Sequence, residues 1–206
     1  MRRRTLLTGV VATGFLAAPA AHASPVPPIR TCADWSARPP AQPPPVVRQR
    51  PVRILVHHTA SENSMDFGQE HAYAHARWIQ DLHMDKNGWI DSGQHFTNSR
   101  GGFLMEGRHG SLDALRAADR IVVGAHCPGQ NVEAVGIENE GTYLTVEPPA
   151  GQWDSLVSFC AFTCEQYGIP PREIFGHRDY HDTLCPGDKL YALLPRLRQE
   201  VARVLG

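Results

Sequence analysis

The chain has 206 residues, which is enough for one domain with a sizeable hydrophobic core. Its 20 lysines and arginines nearly balance 21 aspartates and glutamates, so the formal net charge is -1 at pH 7. This balance argues against nucleic acid as a partner and against attachment to an anionic surface by bulk charge. Specificity must therefore come from a defined site.

Residues 1–23 have the layout of a signal peptide. Arg2-Arg3-Arg4 precede an apolar run from residue 6 to residue 21, and Ala21-His22-Ala23 is a small-x-small cleavage sequence. A membrane anchor is the weaker alternative, because the run is shorter than the roughly 20 residues of a spanning helix and contains Gly, Thr and Pro. Arginine pairs here are also typical of twin-arginine leaders. We expect a secreted protein without a membrane span, whose formal charge is -4 because cleavage removes three arginines and no acid from a charge of -1.

Residues 24–51 are crowded with proline, which lacks the N–H that a helix or a central strand donates. They are predicted to form an extended N-terminal arm. Cys32 and Trp35 give this arm side chains with which to contact the rest of the protein. The domain itself is assigned to residues 52–206.

The run Arg53–His58 is apolar and β-branched without helical periodicity, which is typical of a buried central strand. It ends on His57 and His58. Because successive strand residues point to opposite faces, only one of these two histidines can contact a given metal ion.

A helix is predicted at about residues 66–82, after possible caps at Asn63 and Ser64, with Ala74, Trp78 and Leu82 packing inward. His71 and His75 lie four residues apart on this helix. Ala72 occupies the position at which a His-Glu-x-x-His zinc helix has its glutamate, so we interpret both as ordinary helix histidines.

The middle of the chain is predicted to alternate turns, short strands and one helix. In order, these are a turn at 88–93, a hairpin at 95–106 that turns on Gly101-Gly102, a helix at 111–118, an apolar run at 121–126 with a loop after it, and a strand at 134–141. The strand places Ile137 and Asn139 on one face, and Glu138 and Glu140 on the other.

A helix at residues 152–167 carries Cys160 and Cys164 on its apolar stripe. Residues four apart on a helix keep their Cβ atoms about 5 to 6 Å apart, whereas a disulfide needs roughly 3.5 to 4.5 Å, so each cysteine would need a partner outside the helix.

The chain ends with a brief strand at 174–175 and a final amphipathic helix that is kinked or restarted at Pro195. These elements predict an α/β fold in which a mixed central β-sheet is flanked by α-helices.

The loop from Gly176 to Gly187 sets His177 and Cys185 eight residues apart, and both residue types are zinc ligands. A catalytic zinc ion usually takes three protein ligands and leaves the fourth position for water, so a third donor is expected from the His57-His58 pair.

Five cysteines are an odd number for an exported chain. If Cys185 binds zinc, Cys32, Cys127, Cys160 and Cys164 remain for two disulfides.

From about Cys32 to its C-terminus, the chain resembles the zinc-dependent N-acetylmuramoyl-L-alanine amidases, which share a fold with peptidoglycan recognition proteins and amidase-type phage lysozymes. The resemblance is carried, in the family's order, by Val56-His57-His58-Thr59-Ala60, Gly88-Trp89-Ile90-Asp91-Ser92-Gly93, Glu106-Gly107-Arg108, Gly124-Ala125-His126, Val135-Gly136-Ile137-Glu138, Gly176-His177-Arg178 and Thr183-Leu184-Cys185-Pro186-Gly187. It implies a monomeric zinc enzyme that hydrolyses the bond between N-acetylmuramic acid and L-alanine in peptidoglycan.

By this resemblance, His57 joins His177 and Cys185 as a zinc ligand, while His58 either packs behind it or orients the ligands without contacting the metal. Glu138 is expected to act as the catalytic base on the zinc-bound water, with Thr183 as a minor donor. Three residues are expected to bind substrate, namely Gln94, His126 and Asn131. Gln94 stands where the family often has a tyrosine, and Thr183 stands where phage enzymes carry a lysine.

Similar family members tie their N-terminal segment to the helix at 152–167, which implies a disulfide from Cys32 to Cys160 or Cys164. Two other functions remain open. One is a module that binds peptidoglycan without cutting it, although loss of the cysteine ligand usually marks such members and Cys185 is present. The other is a secreted zinc peptidase.

Overall fold

The computed structural model describes residues 26–206, so the predicted signal peptide lies outside the described residues. The main sheet is built from six strands: β1 (Ile29–Arg30), β3 (Arg53–His58), β4 (Phe96–Asn98), β5 (Leu104–Glu106), β7 (Ala134–Asn139) and β8 (Ile174–Gly176). Their order across the sheet is β1-β5-β4-β7-β3-β8. The β4–β5 pair is antiparallel and the other pairs are parallel, which confirms the predicted mixed sheet and its hairpin.

The proline-rich arm contributes two short strands at the edges of sheets. Its first strand, β1, pairs with β5 at one end of the main sheet, and β2 (Val46–Val47) pairs antiparallel with β6 (Ile121–Val122) in a separate two-stranded sheet. Both strands avoid the centre of the main sheet, where proline would remove ladder hydrogen bonds.

Five α-helices complete the described part of the chain: α1 (Gln69–Asp81), α2 (Ser111–Ala117), α3 (Ala150–Tyr167), α4 (Asp188–Ala192) and α5 (Leu194–Leu205). A π-helical turn, Leu82–Lys86, follows α1 directly. Pro195 lies in the first turn of α5, where its missing N–H costs no helical hydrogen bond, so the predicted final helix restarts there. No helix among residues 26–206 is long and apolar enough to cross a membrane.

The sheet separates two layers of helices. Val56 and Ile137 belong to the larger core, together with residues of α3 and α5, whereas Met105 packs with Cys32, Trp35 and α1. Leu104, the neighbour of Met105, belongs to the larger core, and adjacent strand residues point to opposite faces. Helices α3 and α5 therefore cover one face and α1 covers the other, which is also the face to which His57 and Glu138 point.

The predicted inward stripe of α1 is wrong. Trp78 and Leu82 are 45% and 37% exposed, and Ala74 is exposed as well. The buried stripe is instead formed by Ala72, Tyr73, Ala76 and Ile79. In an alanine-rich helix several stripes are apolar, and docking against Trp35 and Met105 decides between them.

The predicted cap at Asn63 is also absent. Helix α1 begins after Gly68, and the Asn63 side chain instead donates to the Thr142 carbonyl oxygen at 2.9 Å.

The predicted disulfide from Cys32 to α3 is also wrong. All five cysteines are free thiols, and no pair among them forms the two expected bridges. Cys32 packs on the α1 face, where its Sγ lies 3.5 Å from the Gly107 carbonyl oxygen, whereas Cys160 and Cys164 are buried in the core on the other face. The sheet itself stands between the two groups.

Candidate metal centre and active site

The candidate site lies where the C-terminal ends of the neighbouring parallel strands β7, β3 and β8 meet. In the β3–β7 ladder His57 is paired with Glu138, and His177 follows directly after the last residue of β8. The carboxyl ends of parallel strands are the usual location of ligand sites in open α/β sheets. Three segments that are distant in sequence are thus brought together by strand pairing alone.

Three of the predicted site residues form a single group of potential metal ligands. One ring nitrogen each of His57 and His177 and the Sγ atom of Cys185 lie within 4.8 Å of one another. Nδ1 of His57 lies 3.7 Å from Sγ of Cys185, and the centroids of the His57 and His177 rings are 4.5 Å apart. Among residues 26–206 this is the one group of three or more His, Cys, Asp or Glu side chains with such spacing.

The chemistry of these three donors fits a zinc ion. Nε2 of His177 is buried and has no hydrogen-bond partner among the described residues, so the ring has an unsatisfied polar atom at the site. Burial lowers the pKa values of His57 and His177, which keeps both imidazoles in the neutral form that binds metals. Two nitrogens and one sulfur beside an open cavity match the ligand set of catalytic zinc.

Cys185 is held as a thiol in the metal-free protein. Burial raises its pKa to about 12, although the His58 backbone N–H, 3.4 Å from Sγ, partly opposes that shift. The thiol lies 3.9 Å from the His58 carbonyl oxygen, to which it can donate. A bound divalent cation would favour the thiolate, which is the form that coordinates zinc.

The loop that carries Cys185 is tied down by Arg178. Its guanidinium group donates to the carbonyl oxygens of Leu184 and Cys185, pairs with Asp188 at 2.8 Å and stacks over the Tyr191 ring. Arginine presents several N–H donors in a planar fork and can make all of these contacts at once.

The far end of this loop is closed by Gly187. It has a φ of +90°, and a Cβ atom there would lie 2.5 Å from the Tyr143 carbonyl oxygen. Glycine is therefore required by both the backbone conformation and the close approach. The segment Thr183-Leu184-Cys185-Pro186-Gly187 is thereby packed against the chain that follows β7.

Beside the potential metal ligands is an open cavity of about 660 Å³. Its wall is formed by residues at or after the C-terminal ends of β3, β7 and β8 and by residues of the neighbouring loops. These are His57, His58, Ala60, Trp89, Ala125, His126, Glu138, Thr142, Leu144, His177, Thr183, Leu184 and Cys185. Trp89 and Leu184 supply apolar surface, and Leu184 is 65% exposed. Both residues belong to motifs that are shared with the amidases, but the sequence predicted no role for either of them. Their contribution to the cavity depends on how the loop that carries Trp89 and the loop that carries Leu184 face each other.

Glu138 is the carboxylate of this cavity. It is partly buried, and no hydrogen bond to its side chain is found among the described residues; burial raises its pKa to about 8. Glu140 was expected on the same face but lies beyond the end of β7. There its carboxylate accepts from the Arg100 backbone N–H at 2.9 Å and contacts Nε2 of His71 at 2.6 Å.

The remaining predicted residues are distributed unevenly around the cavity. Thr183 lines it, and its hydroxyl accepts from the Cys185 backbone N–H at 3.2 Å. Gln94 and Asn131 do not reach the cavity wall. Gln94 is 1% exposed and donates to the Thr97 hydroxyl at 3.0 Å, while the Asn131 side chain accepts from the backbone N–H groups of His126 and Cys127. This arrangement gives no support to a substrate contact by either residue.

His126 is largely buried beside His57 and also forms part of the cavity wall. Its Nδ1 lies 3.1 Å from Nε2 of His57, and the two rings meet edge to face with centroids 5.1 Å apart. The resemblance predicted a substrate contact for His126. The structure places it against a potential metal ligand, with 8% of its surface exposed.

Comparisons with known proteins agree with this arrangement. A family model described as N-acetylmuramoyl-L-alanine amidase matches residues 48–188. Peptidoglycan recognition protein 1 of Bos indicus is 33% identical over 149 residues, which are 71% of this chain and 72% of that protein. The N-acetylmuramoyl-L-alanine amidase of Homo sapiens is 31% identical over 155 residues, 73% of this chain but 25% of that longer protein.

The fold comparison points to the same group of proteins. Wild-type Drosophila PGRP-LB superposes with a TM-score of 0.68 at 30% identity, covering 80% of this chain and 91% of that one. A mutant of the same Drosophila protein, solved in complex with tracheal cytotoxin, superposes with a TM-score of 0.67 at 29% identity, covering 80% of this chain and 90% of that one. The family match spans the strand that carries His57, the strand that carries Glu138 and the loop that carries Cys185, and so the chain belongs to the N-acetylmuramoyl-L-alanine amidase family.

Proposed function

We propose that the protein is a zinc-dependent N-acetylmuramoyl-L-alanine amidase that hydrolyses the bond between N-acetylmuramic acid and L-alanine in peptidoglycan. The observation that carries this proposal is the group formed by His57, His177 and Cys185, which opens onto a cavity containing Glu138. A protein that only bound the wall would need neither a complete ligand set nor a carboxylate beside it.

The three ligands and the carboxylate have separable roles. When bound, zinc lowers the pKa of a coordinated water towards 7 and stabilises negative charge on a carbonyl oxygen. His57, His177 and Cys185 would hold the ion, and Glu138 faces the cavity from the strand position paired with His57. In the metal-free protein burial raises the pKa of Glu138 to about 8, and in the enzyme its carboxylate would take a proton from the attacking water and pass it to the leaving amine.

The shape of the cavity suits a muramoyl peptide. Its volume of about 660 Å³ is within the usual range for small-molecule sites, and Trp89 and Leu184 offer apolar contact beside the polar groups of Thr183 and Glu138. Similarity to a protein that was solved with tracheal cytotoxin supports a peptidoglycan fragment as the ligand. The predicted signal peptide supports action outside the cytoplasm, on the cell wall.

A binding module without activity is the second candidate, because the similar proteins include several named as recognition proteins. The two functions differ in what they release. We expect the zinc-loaded protein, incubated with purified peptidoglycan, to release free stem peptides that mass spectrometry detects. Removal of zinc with a chelator should stop the release, and zinc should restore it.

Cys185→Ser serves as the matched variant, because it removes one metal ligand while keeping a side chain of similar size. It should lose both zinc and activity. Binding to peptidoglycan without release of peptides by the zinc-loaded protein would show that the protein is a binding module. Cleavage of free peptides with no release from intact peptidoglycan would instead indicate a zinc peptidase.

A further inference from the structure

We propose that His126 is a positioning residue for the metal centre, which holds His57 in the tautomer whose Nδ1 is free to bind the metal ion. This inference rests on the proposed zinc site and assigns to His126 a role other than contact with substrate. It is based on a chain of contacts that runs from a backbone carbonyl through two imidazole rings to the potential metal ligands.

The chain begins at the Ala134 carbonyl oxygen, which lies 3.2 Å from Nε2 of His126. A carbonyl oxygen only accepts hydrogen bonds, so this contact requires the proton of His126 to be on Nε2. In a neutral imidazole the other nitrogen then has a free lone pair. Nδ1 of His126 is therefore an acceptor.

The second link is between the two histidines. Nε2 of His57 lies 3.1 Å from Nδ1 of His126, and because the latter is an acceptor, Nε2 of His57 must carry the proton. The lone pair of His57 is left on Nδ1, the nitrogen that lies 3.7 Å from Sγ of Cys185. The tautomer selected by His126 is thus the one that presents a lone pair to the metal site.

Both rings are in the neutral state that this argument needs. His57 and His126 are 3% and 8% exposed, and burial disfavours the charged form of an imidazole. Arg108 acts in the same direction on His126, since its positive charge disfavours a second one on that ring. A second proton on His126 would be on Nδ1 and would place two N–H groups against each other.

No other described side chain competes for Nδ1 of His126. Besides His57, the His95 ring lies close to His126, with centroids 5.2 Å apart. Nδ1 of His95 accepts from the Gly136 backbone N–H at 3.0 Å, and its Nε2 donates to the Val122 carbonyl at 2.7 Å. Both nitrogens of His95 are therefore occupied elsewhere.

The position of the His126 ring is set by two glycines. A Cβ atom at Gly136 would lie 2.6 Å from Cγ of His126, and one at Gly124 would lie 2.7 Å from its Cδ2. The backbone N–H of His126 is held by Asn131 Oδ1 at 2.9 Å. These contacts leave the ring little freedom, so it can orient His57 before any metal arrives. Groups that orient a metal-binding histidine in this way are typically worth 10- to 100-fold in metal affinity.

The first test uses the metal-free wild-type protein and needs no variant. The nitrogen chemical shifts of its histidines, measured by NMR on ¹⁵N-labelled protein, report which ring nitrogen carries the proton. We expect His57 to be protonated on Nε2 and His126 on Nε2. A His57 protonated on Nδ1 in the folded, metal-free protein would overturn the proposal.

The second test compares zinc affinity, measured by competition with a chromophoric chelator, among folded variants. His126→Leu should lose about 10- to 100-fold in affinity, and His126→Asn, whose amide oxygen can replace the Nδ1 acceptor, should recover much of that loss. His75→Leu is the control, because it removes another buried histidine, on α1, that is not among the potential ligands.

Unchanged zinc affinity in His126→Leu would contradict the proposal, as would an equal loss in the Leu and Asn variants. These readouts do not depend on catalysis. If the zinc-loaded wild type bound zinc but released no stem peptides, the proposed function would fail while the positioning role of His126 would stand.

Discussion

At the scale of single residues, the burial of Glu138 favours proton transfer but makes its ionised form unfavourable. Its carboxylate faces the cavity without a hydrogen-bond partner among the described residues, and burial raises its pKa to about 8. A pKa near neutrality suits a group that must accept and return a proton. The same burial makes the ionised form costly in the metal-free protein.

We expect Glu138→Gln to reduce turnover while zinc remains bound. Glutamine keeps the size and polarity of the side chain but cannot take up a proton, and general acid–base catalysis typically contributes about 10²- to 10⁴-fold. The rate of stem-peptide release and the zinc content of the purified variant are the two measurements. Near-full turnover with zinc in place would make Glu138 a structural residue.

We also expect Glu138→Gln to stabilise the metal-free protein at high pH. A carboxyl group whose folded pKa is raised above its unfolded value of about 4.5 costs nothing below that value, and it destabilises the fold as pH rises towards about 8. At roughly 1.4 kcal/mol per pKa unit, the cost is on the order of a few kcal/mol.

Urea unfolding after removal of zinc measures this effect. The free energy of unfolding of the wild type should fall between pH 5 and pH 8, and the variant should lose less over the same interval. Glu147→Gln is the matched control, because Glu147 is an exposed loop residue. An equal pH dependence of Glu138→Gln and wild type would mean that Glu138 is well solvated.

At the scale of elements, the loop between β8 and α4 places two of the three potential ligands. Arg178 ties this loop to itself and to Asp188, which fixes Cys185 relative to His177. Ion pairs on a protein surface usually contribute little to stability. This guanidinium group, however, also donates to two backbone carbonyl oxygens, which the compact ammonium group of a lysine could not reach together.

Arg178→Lys should therefore loosen the loop and weaken zinc binding about tenfold, the lower end of what outer-shell groups contribute. The measurement is zinc affinity by chelator competition, with Arg196→Lys as control. Arg196 makes an exposed ion pair with Glu200 on α5 and has no contact with the site. Equal affinity in the two lysine variants would show that the loop is held by other contacts.

Helix α1 allows a direct comparison of two neighbouring residues. Ile79 is 1% exposed, whereas Trp78 is 45% exposed. We expect Ile79→Ala to lower the free energy of unfolding by about 2 to 5 kcal/mol, since it leaves a cavity in the packed face, and Trp78→Ala to cost about 1 kcal/mol or less. Chemical denaturation of both variants checks this, and a larger loss in Trp78→Ala would restore the orientation predicted from the sequence.

At the scale of the whole molecule, the sheet divides the cysteines into separate environments. Cys32, in the arm, is buried against α1, and Cys160 and Cys164, in α3, are buried in the core on the other face of the sheet. Burial raises the pKa values of all three thiols, which makes them poor nucleophiles for disulfide exchange.

We expect titration of the denatured, metal-free protein with a thiol reagent to find five free thiols. Peptide mapping without reduction should find no peptide that joins Cys32 to α3. A Cys32–Cys160 or Cys32–Cys164 peptide would require a different packing of the arm, because the sheet now stands between these residues.

The sequence by itself determined the features that follow from short-range patterns. The apolar run before His57, the glycine turn of the hairpin and the proline that restarts the last helix each specify local structure, because backbone sterics and side-chain periodicity act over a few residues. The spacing of His177 and Cys185 and the resemblance of the surrounding motifs also identified the residues that the fold brings together as potential metal ligands.

Only the tertiary structure decided how these elements face one another. The buried stripe of α1, the separation of Cys32 from α3 and the withdrawal of Gln94 and Asn131 from the cavity all depend on which faces dock. The contact between His126 and His57 depends on strand order in the same way. Periodicity states that a face is apolar or a strand alternates, but the choice among partners is made by packing between segments that are far apart in sequence.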